Sequence, residues 1–216
     1  MNKNEPNIFL YYANIVDYLR VVFAVWAFSV SKENFWMFII LYFISFALDG
    51  LDGMLARHFD QCSKLGGTLD MVIDRISTAG LLVVCSQLFP NYSHIFIFLI
   101  MLDVGSHWLQ THSSLMLNQH HKDKKELFFL ISFYYKKYVL MVVCLGAEAF
   151  LLLLYSTHFY PELLNIKVFY CLMLYFCFPI YCFKQLISVL QVISSSHTIA
   201  EIDLQEWRIK NSQKVN

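Results

Sequence analysis

Charge is what this chain has least of. Only 15% of its 216 residues are Asp, Glu, Lys or Arg, where a soluble domain carries about 25%. The apolar share is 58%, with 20 Phe and 13 Tyr. That excludes an ordinary water-soluble domain and indicates a polytopic membrane protein. The six cysteines, at positions 62, 85, 144, 171, 177 and 182, include no Cys-x-x-Cys pair. Five of them lie in apolar runs, where a buried thiol is expected in place of a disulfide. The opening residues, MNKNEPNIFLYYAN, hold no apolar signal-peptide core and no small-residue cleavage pattern. Insertion is therefore expected to rely on the first membrane helix itself. There is no internal repeat and no low-complexity tract, and the chain reads as one membrane domain over 1–216 with a polar tail from about 194. No nucleic-acid partner is expected.

Six apolar segments are present, at about 15–30, 35–48 (running on to 56), 69–89, 94–117, 138–155 and 166–193. Each is near the ~20 residues that span a bilayer, so the expected fold is all-α with six transmembrane helices. The connections at 31–34, 90–93 and 156–165 contain one basic residue, Lys32. Arg57, Lys64, Lys122, Lys124, Lys125, Lys136, Lys137, Arg208, Lys210 and Lys214 all fall on the other side. The excess of basic residues puts that side, and both termini, in the cytosol. The tail is expected to be a short surface helix around 199–209 or a disordered end. The basic loop, 122–137, reads as a cytosolic flank with affinity for anionic lipid, the alternative being a polyol-facing Lys136 or Lys137. Trp108 and the many Tyr suit the membrane interface.

Between the second and third segments stand Asp49, Asp52, Asp70 and Asp74, within 26 residues. An Asp at the centre of a membrane helix costs about 2.5–3.5 kcal/mol, so these acids need compensation. Asp49 and Asp52 are three apart, and Asp70 and Asp74 four apart. On helices each pair shares a face. Two such faces make an all-oxygen pocket that suits two hard cations, Mg²⁺ or Mn²⁺, the arrangement of a two-metal phosphoryl-transfer site. Gly50, Gly53, Gly66 and Gly67, with Ala56, keep the walls slim enough for a ligand or a neighbouring backbone. Arg57 supplies a positive group for a phosphate, so a diphosphate fits the cleft. The competing reading makes Asp49-Gly50 and Asp52-Gly53 ordinary turns and Asp60 plain loop. Asp17 and Arg20, three apart in the first segment, can form an ion pair, and Asn14 and Asp17 can cap that helix. His107 and His112 are five apart and His120 and His121 adjacent. Neither spacing makes a zinc site, and His107 and His112 are expected to be structural or headgroup-lining. Arg75 is expected to pair with an acid or to meet a polar substrate.

The order Asp49, Asp52, Gly53, Ala56, Arg57, eight residues, Gly66, Asp70, Asp74 resembles the signature of the CDP-alcohol phosphatidyltransferase family at all eight fixed positions. NIVDYLR, LDMVIDRIST, SHWLQTHSSLM and KQLISVLQVI are similar to that family's eukaryotic inositol-using members. The chain departs from them in a shortened 122–138 region and in Ala147 where Asn is expected. The resemblance implies the family's fold and a phosphotransferase of the 2.7.8 class in the lipid-synthesis machinery of the endoplasmic reticulum, or else the Golgi. It implies transfer of a phosphatidyl group from CDP-diacylglycerol to myo-inositol, with release of CMP. Asp49, Asp52 and Asp70 would hold one ion, and Asp49, Asp70 and Asp74 the other. Asp74 would also take the alcohol's proton. Gly53, Arg57 and Ser63 would contact the nucleotide diphosphate, with Asn14 and Asp17 on the nucleotide side. A homodimer is implied as well. Two alternatives remain at this stage. One is transfer to another alcohol such as glycerol 3-phosphate. The other is a cation-binding membrane transporter, for which acids spread over several helices would be expected.

Overall fold

The computed structural model describes residues 6–119 and 128–215, and all regular structure among them is helical. His120, His121, Lys122, Lys124 and Lys125, which carry part of the loop and charge readings, lie outside the described residues. The chain divides into two compact units, Met1–Phe96 and Ile97–Asn216.

The first unit is built on α1 (Tyr12–Val30), α2 (Phe35–His58) and α3 (Lys64–Leu88). The Asn34 side chain starts α2 by accepting the Met37 N–H at 3.0 Å. The helix then runs unbroken through Asp49-Gly50 and Asp52-Gly53, so those pairs are helical positions and not turns. It stops at Phe59 and Asp60. Asp60 takes the left-handed conformation (φ 54°), and the Gln61 N–H closes back on the Ala56 carbonyl at 2.8 Å. That is a helix-ending motif which Asp tolerates at its left-handed position. Ser63 then caps α3, its Oγ accepting the Gly66 N–H at 2.9 Å. Thus α3 begins at Lys64, five residues ahead of the apolar run that announced it.

The structure corrects the reading of α1. Asn14 and Asp17 do not cap it: both lie inside the helix and are only 1% exposed. Tyr11 holds the cap position without a side-chain bond. Gln61 serves from outside, its Oε1 accepting the Tyr12 N–H at 3.0 Å. Small buried residues, Ala13, Ala24 and Ala27, let α1 pack closely. α1 packs along α2 and also against α3. At one α1–α3 contact a Cβ on Gly80 would stand 2.3 Å from a ring carbon of Phe28.

α4 (Ser93–Gln119) leads into the second unit, followed by α5 (Phe129–Tyr134), α6 (Lys137–Phe159), α7 (Lys167–Cys171) and α8 (Phe178–Val215). A π-helical stretch, Leu172–Cys177, joins α7 to α8. Pro179 lacks an N–H, and its ring crowds the carbonyl four residues back, which the wider π turn absorbs. Tyr134, Val143 and Ile187 form a buried cluster among α5, α6 and α8. The tail departs from expectation. It is neither a separate surface helix nor a disordered end but the continuation of α8, 38 residues long. No Gly or Pro follows Pro179 to stop it. At 1.5 Å per residue α8 reaches about 57 Å, well beyond a ~30 Å hydrocarbon core.

Among the described residues, five helical stretches are long and apolar enough to cross a membrane: Tyr12–Val30, Phe35–His58, Pro90–Leu117, Lys137–Phe159 and Lys167–Gln213. At most 33% of each apolar window is buried, so the apolar surface faces outward, as lipid contact requires. α3 is not among the five; Lys64, Asp70, Asp74 and Arg75 stand in its first half. The all-helical membrane architecture is as expected, and a sixth span through α3 stays a proposal.

The Gly80 contact gives a test of α1–α3 packing. Gly80→Leu is expected to destabilise by about 1–3 kcal/mol, the usual range for overpacking. Thermal unfolding in detergent measures this, and adding Phe28→Ala is expected to recover part of the loss.

Candidate active site

The three helices of the first unit converge on one side chain, Arg20 of α1. Its Nη1 donates to Asp17 Oδ1 at 3.0 Å, to Asp52 Oδ2 at 2.9 Å and to Asp70 Oδ1 at 2.9 Å. Its Nη2 donates to Asp74 Oδ1 at 2.7 Å and to Asp49 Oδ1. The three-residue step from Asp17 to Arg20 puts both on one face of α1, and the steps Asp49–Asp52 and Asp70–Asp74 do the same on α2 and α3. Ser45 of α2 donates its Oγ to the Arg20 carbonyl at 2.9 Å, tying the two helices at the hub.

Five carboxylates surround one guanidinium, and even with Arg75 near Asp74 the acids outnumber the cations. Their oxygens form two groups: Asp17, Asp52 and Asp70, and Asp49, Asp70 and Asp74. Within each group one oxygen per residue lies within 4.8 Å of the others. Asp70 belongs to both. The donor set is all carboxylate oxygen, which fits hard divalent cations and not zinc. The second group has the composition expected from sequence; in the first, Asp17 stands where Asp49 was expected. Asp17 and Asp52 are buried, whereas the side chains of Asp49, Asp70 and Asp74 are 37%, 46% and 38% exposed. The cluster is therefore closed on one side and open on the other.

A cleft of about 200 Å³ adjoins the cluster, lined among others by Asn14, Asp17, Asp52, Gly53, Ala56, Arg57, Ser63 and Asp70. The residues expected from the sequence to hold metal, take the proton or contact the nucleotide thus lie in the acidic cluster or along this cleft. Two of the four glycines are crowded. A Cβ on Gly53 would stand 3.3 Å from Arg57 Nη1, and one on Gly66 would stand 2.8 Å from Asn14 Oδ1. Gly50 and Gly67 have open space around them, so close approach does not explain them. Asn14 is braced by its Nδ2, which donates to the Ile8 carbonyl at 2.7 Å. Ser63 lines the cleft while capping α3. Gln61 and Cys62 line it too, and sequence reasoning passed over both. It also passed over the central place of Arg20, although the Asp17–Arg20 pair was visible. Arg75 lies against an acid, 3.8 Å from Asp74 Oδ2.

In the second unit, Asp103 and Lys184 pair at 3.2 Å, both buried. The His107 ring bonds the Asp103 carbonyl through Nδ1 at 2.8 Å, a structural role. Lys136 lies over the Phe133 ring at 5.4 Å. None of the six cysteines is in a disulfide.

Comparison with known proteins places this geometry. The CDP-alcohol phosphatidyltransferase family profile matches residues 10–199. A protein of Arabidopsis thaliana named probable CDP-diacylglycerol–inositol 3-phosphatidyltransferase 2 is 39% identical over 176 residues, 78% of this chain and 78% of its own length. The human protein named CDP-diacylglycerol–inositol 3-phosphatidyltransferase is 35% identical over 209 residues, 92% of this chain and 95% of its own. Its namesake in Candida albicans is 34% identical over 205 residues, covering 93% and 86%. No solved structure matches. With the family profile running from α1 into α8, and with the acidic cluster and cleft built from the motif residues, this chain belongs to the CDP-alcohol phosphatidyltransferase family.

Proposed function

We propose that the protein transfers a phosphatidyl group from CDP-diacylglycerol to myo-inositol, releasing CMP, at the cytosolic surface of the endoplasmic reticulum. The observation that carries this reading is the half-open cluster of Asp49, Asp52, Asp70 and Asp74 beside a cleft walled by Gly53 and Arg57. Relatives named as inositol phosphatidyltransferases support the choice of alcohol. Cytosolic placement rests on the ten basic residues on that side against one on the other. The active form is a homodimer in this reading, and α3 is its sixth span.

Divalent-metal dependence is a property of the family, and the oxygen set fits it. Asp49, Asp52, Asp70 and Asp74, joined by Asp17, would hold two Mg²⁺ or Mn²⁺ ions. When bound, they neutralise charge building on the diphosphate leaving group. The chain's own residues do the rest. Arg57, folded over Gly53, meets the diphosphate. Ser63, Asn14 and Asp17 line the nucleotide end of the cleft. An inositol hydroxyl attacks the phosphorus nearest the diacylglycerol, the bond from that phosphorus to the CMP oxygen breaks, and the hydroxyl proton passes to Asp74. Asp74 is half-exposed, so an acceptor from solution reaches it.

Membranes carrying the protein, given CDP-diacylglycerol and Mn²⁺, are expected to form lipid and CMP with inositol but not with glycerol 3-phosphate or serine. Lipid from glycerol 3-phosphate instead would move the chain to another branch of the family, and no CMP with any alcohol would sink the transferase reading. Asp74→Asn is expected to cut turnover about 10²–10⁴-fold, the range of a lost general base, with CDP-diacylglycerol binding retained. For the ions, Mn²⁺ bound per protein is read by electron paramagnetic resonance. Asp70→Asn, which touches both oxygen groups, is expected to lose both ions, and Asp17→Asn only one.

A further inference from the structure

The arginine at the middle of the acidic cluster has no part in the transfer step. We propose that the Arg20 guanidinium is the cluster's resident counter-cation, seated where the two divalent ions bind, so that metal entry displaces it from the oxygens. The inference rests on reading the cluster as a two-ion site.

The match of partners is the first support. Nη1 touches Asp17, Asp52 and Asp70, which together are one of the two oxygen groups. Nη2 touches Asp49 and Asp74, two members of the other. Each terminal nitrogen thus serves one group. An Mg²⁺ ion sits about 2.0–2.1 Å from its oxygens, so it and a nitrogen bonded to the same three carboxylates compete for them.

Incomplete use of the guanidinium is the second. Arg20 Nε is buried and has no hydrogen-bond partner. A guanidinium serving as a permanent strut is expected to have its buried donors satisfied. Here only the two nitrogens that meet candidate metal ligands are engaged. Placement of this side chain follows the carboxylates, not a complete set of fixed acceptors.

Charge gives the third. Five carboxylates stand against Arg20, with Arg75 reaching only Asp74 at 3.8 Å, so the acids outnumber their cations and divalent ions can make up the difference. The guanidinium therefore only has to withdraw from the oxygens, not leave the neighbourhood. Its backbone stays fixed, because Ser45 Oγ bonds the Arg20 carbonyl at 2.9 Å. The exchange is confined to a long side chain.

The test is a Mn²⁺ titration of the full chain in detergent, read by electron paramagnetic resonance, with thermal unfolding in EDTA and in excess Mn²⁺. Arg20→Met is expected to lower the unfolding temperature in EDTA, to regain it with Mn²⁺, and to bind both ions about tenfold tighter, the worth of one charged hydrogen bond. Arg20→Lys offers one nitrogen and fills one oxygen group, so one ion is expected to tighten and the other to stay as in the parent. If Arg20→Met binds Mn²⁺ no tighter than the parent, the proposal falls. It falls equally if Arg20→Lys is indistinguishable from the parent, since that marks a pure charge effect. Should Arg20→Met fail to fold even with Mn²⁺, the Arg20→Lys titration decides alone. A parent that binds no Mn²⁺ defeats the two-ion reading itself, whereas a parent that binds two with both variants unchanged defeats only the displacement of Arg20.

Discussion

Charge inside apolar helices is tolerated only where it is matched, and in the first unit the matching is done by Arg20. Stripping one partner from a buried ion pair costs about 3–5 kcal/mol. Arg20 bonds acids from α1, α2 and α3 together. Sliding any of these helices by a turn would strand a carboxylate in lipid. The apolar contacts among them impose no such penalty, because lipid chains solvate a displaced Leu or Phe equally well. The small faces at Ala24, Ala27 and Gly80 bring the helices close. It is the polar hub that fixes their register. The contacts that position the chemistry are therefore also the ones that specify the fold.

Depth then separates roles among the five acids. Asp17 and Asp52 are nearly buried and meet the outside only through the cleft, and Asp49, Asp70 and Asp74 are more than a third exposed. A nearly buried carboxylate suits an anchored cation, and an open one still has a face for a second ligand. In the proposed reaction the acceptor alcohol would enter at the open side, and the cleft with Arg57 and Ser63 would take the nucleotide. Glycine stands at the two cleft positions where a Cβ would crowd a neighbouring side chain, Gly53 against Arg57 and Gly66 against Asn14.

What could be read in the sequence follows from the range of the physics involved. The steps of three and four residues between acids are helix periods, so the two faces were legible before any coordinates. The Ser63 cap and the reversal at Asp60 are local as well. The Asp-Gly pairs left a turn reading open beside the helical one because turn chemistry is also local, and the helix around them overrides it. Asn14 and Asp17 misled toward capping for a similar reason: polar residues before an apolar run suit a cap, while tertiary burial draws them inward. The place of Arg20 was not legible. Its partner three residues away satisfied the local reading, and its other partners lie 29 to 54 residues away, where no spacing rule reaches. The tail was missed because apolar periodicity fades after 193, although nothing there stops a helix.

The second unit supplies the contrast that gives the acidic cluster its meaning. Asp103 and Lys184 are buried alike and pair at 3.2 Å. Along the same two helices, Ser195 Oγ donates to Gln110 Oε1 at 2.7 Å, and on α8 Gln191 Nε2 donates to the Tyr135 hydroxyl at 2.9 Å. The buried polar positions 103, 106, 110 and 113 on α4, and 184, 188, 191 and 195 on α8, recur at helical spacing. This is polar glue of the kind that holds membrane helices together, with charges balanced inside it. Asp, Lys and Arg inside a span are therefore not by themselves a sign of chemistry. What separates the two sets is charge balance and access. A buried acid beside a buried cation is matched in place. Five acids that outnumber their cations, with three of them open, leave charge to be matched from outside.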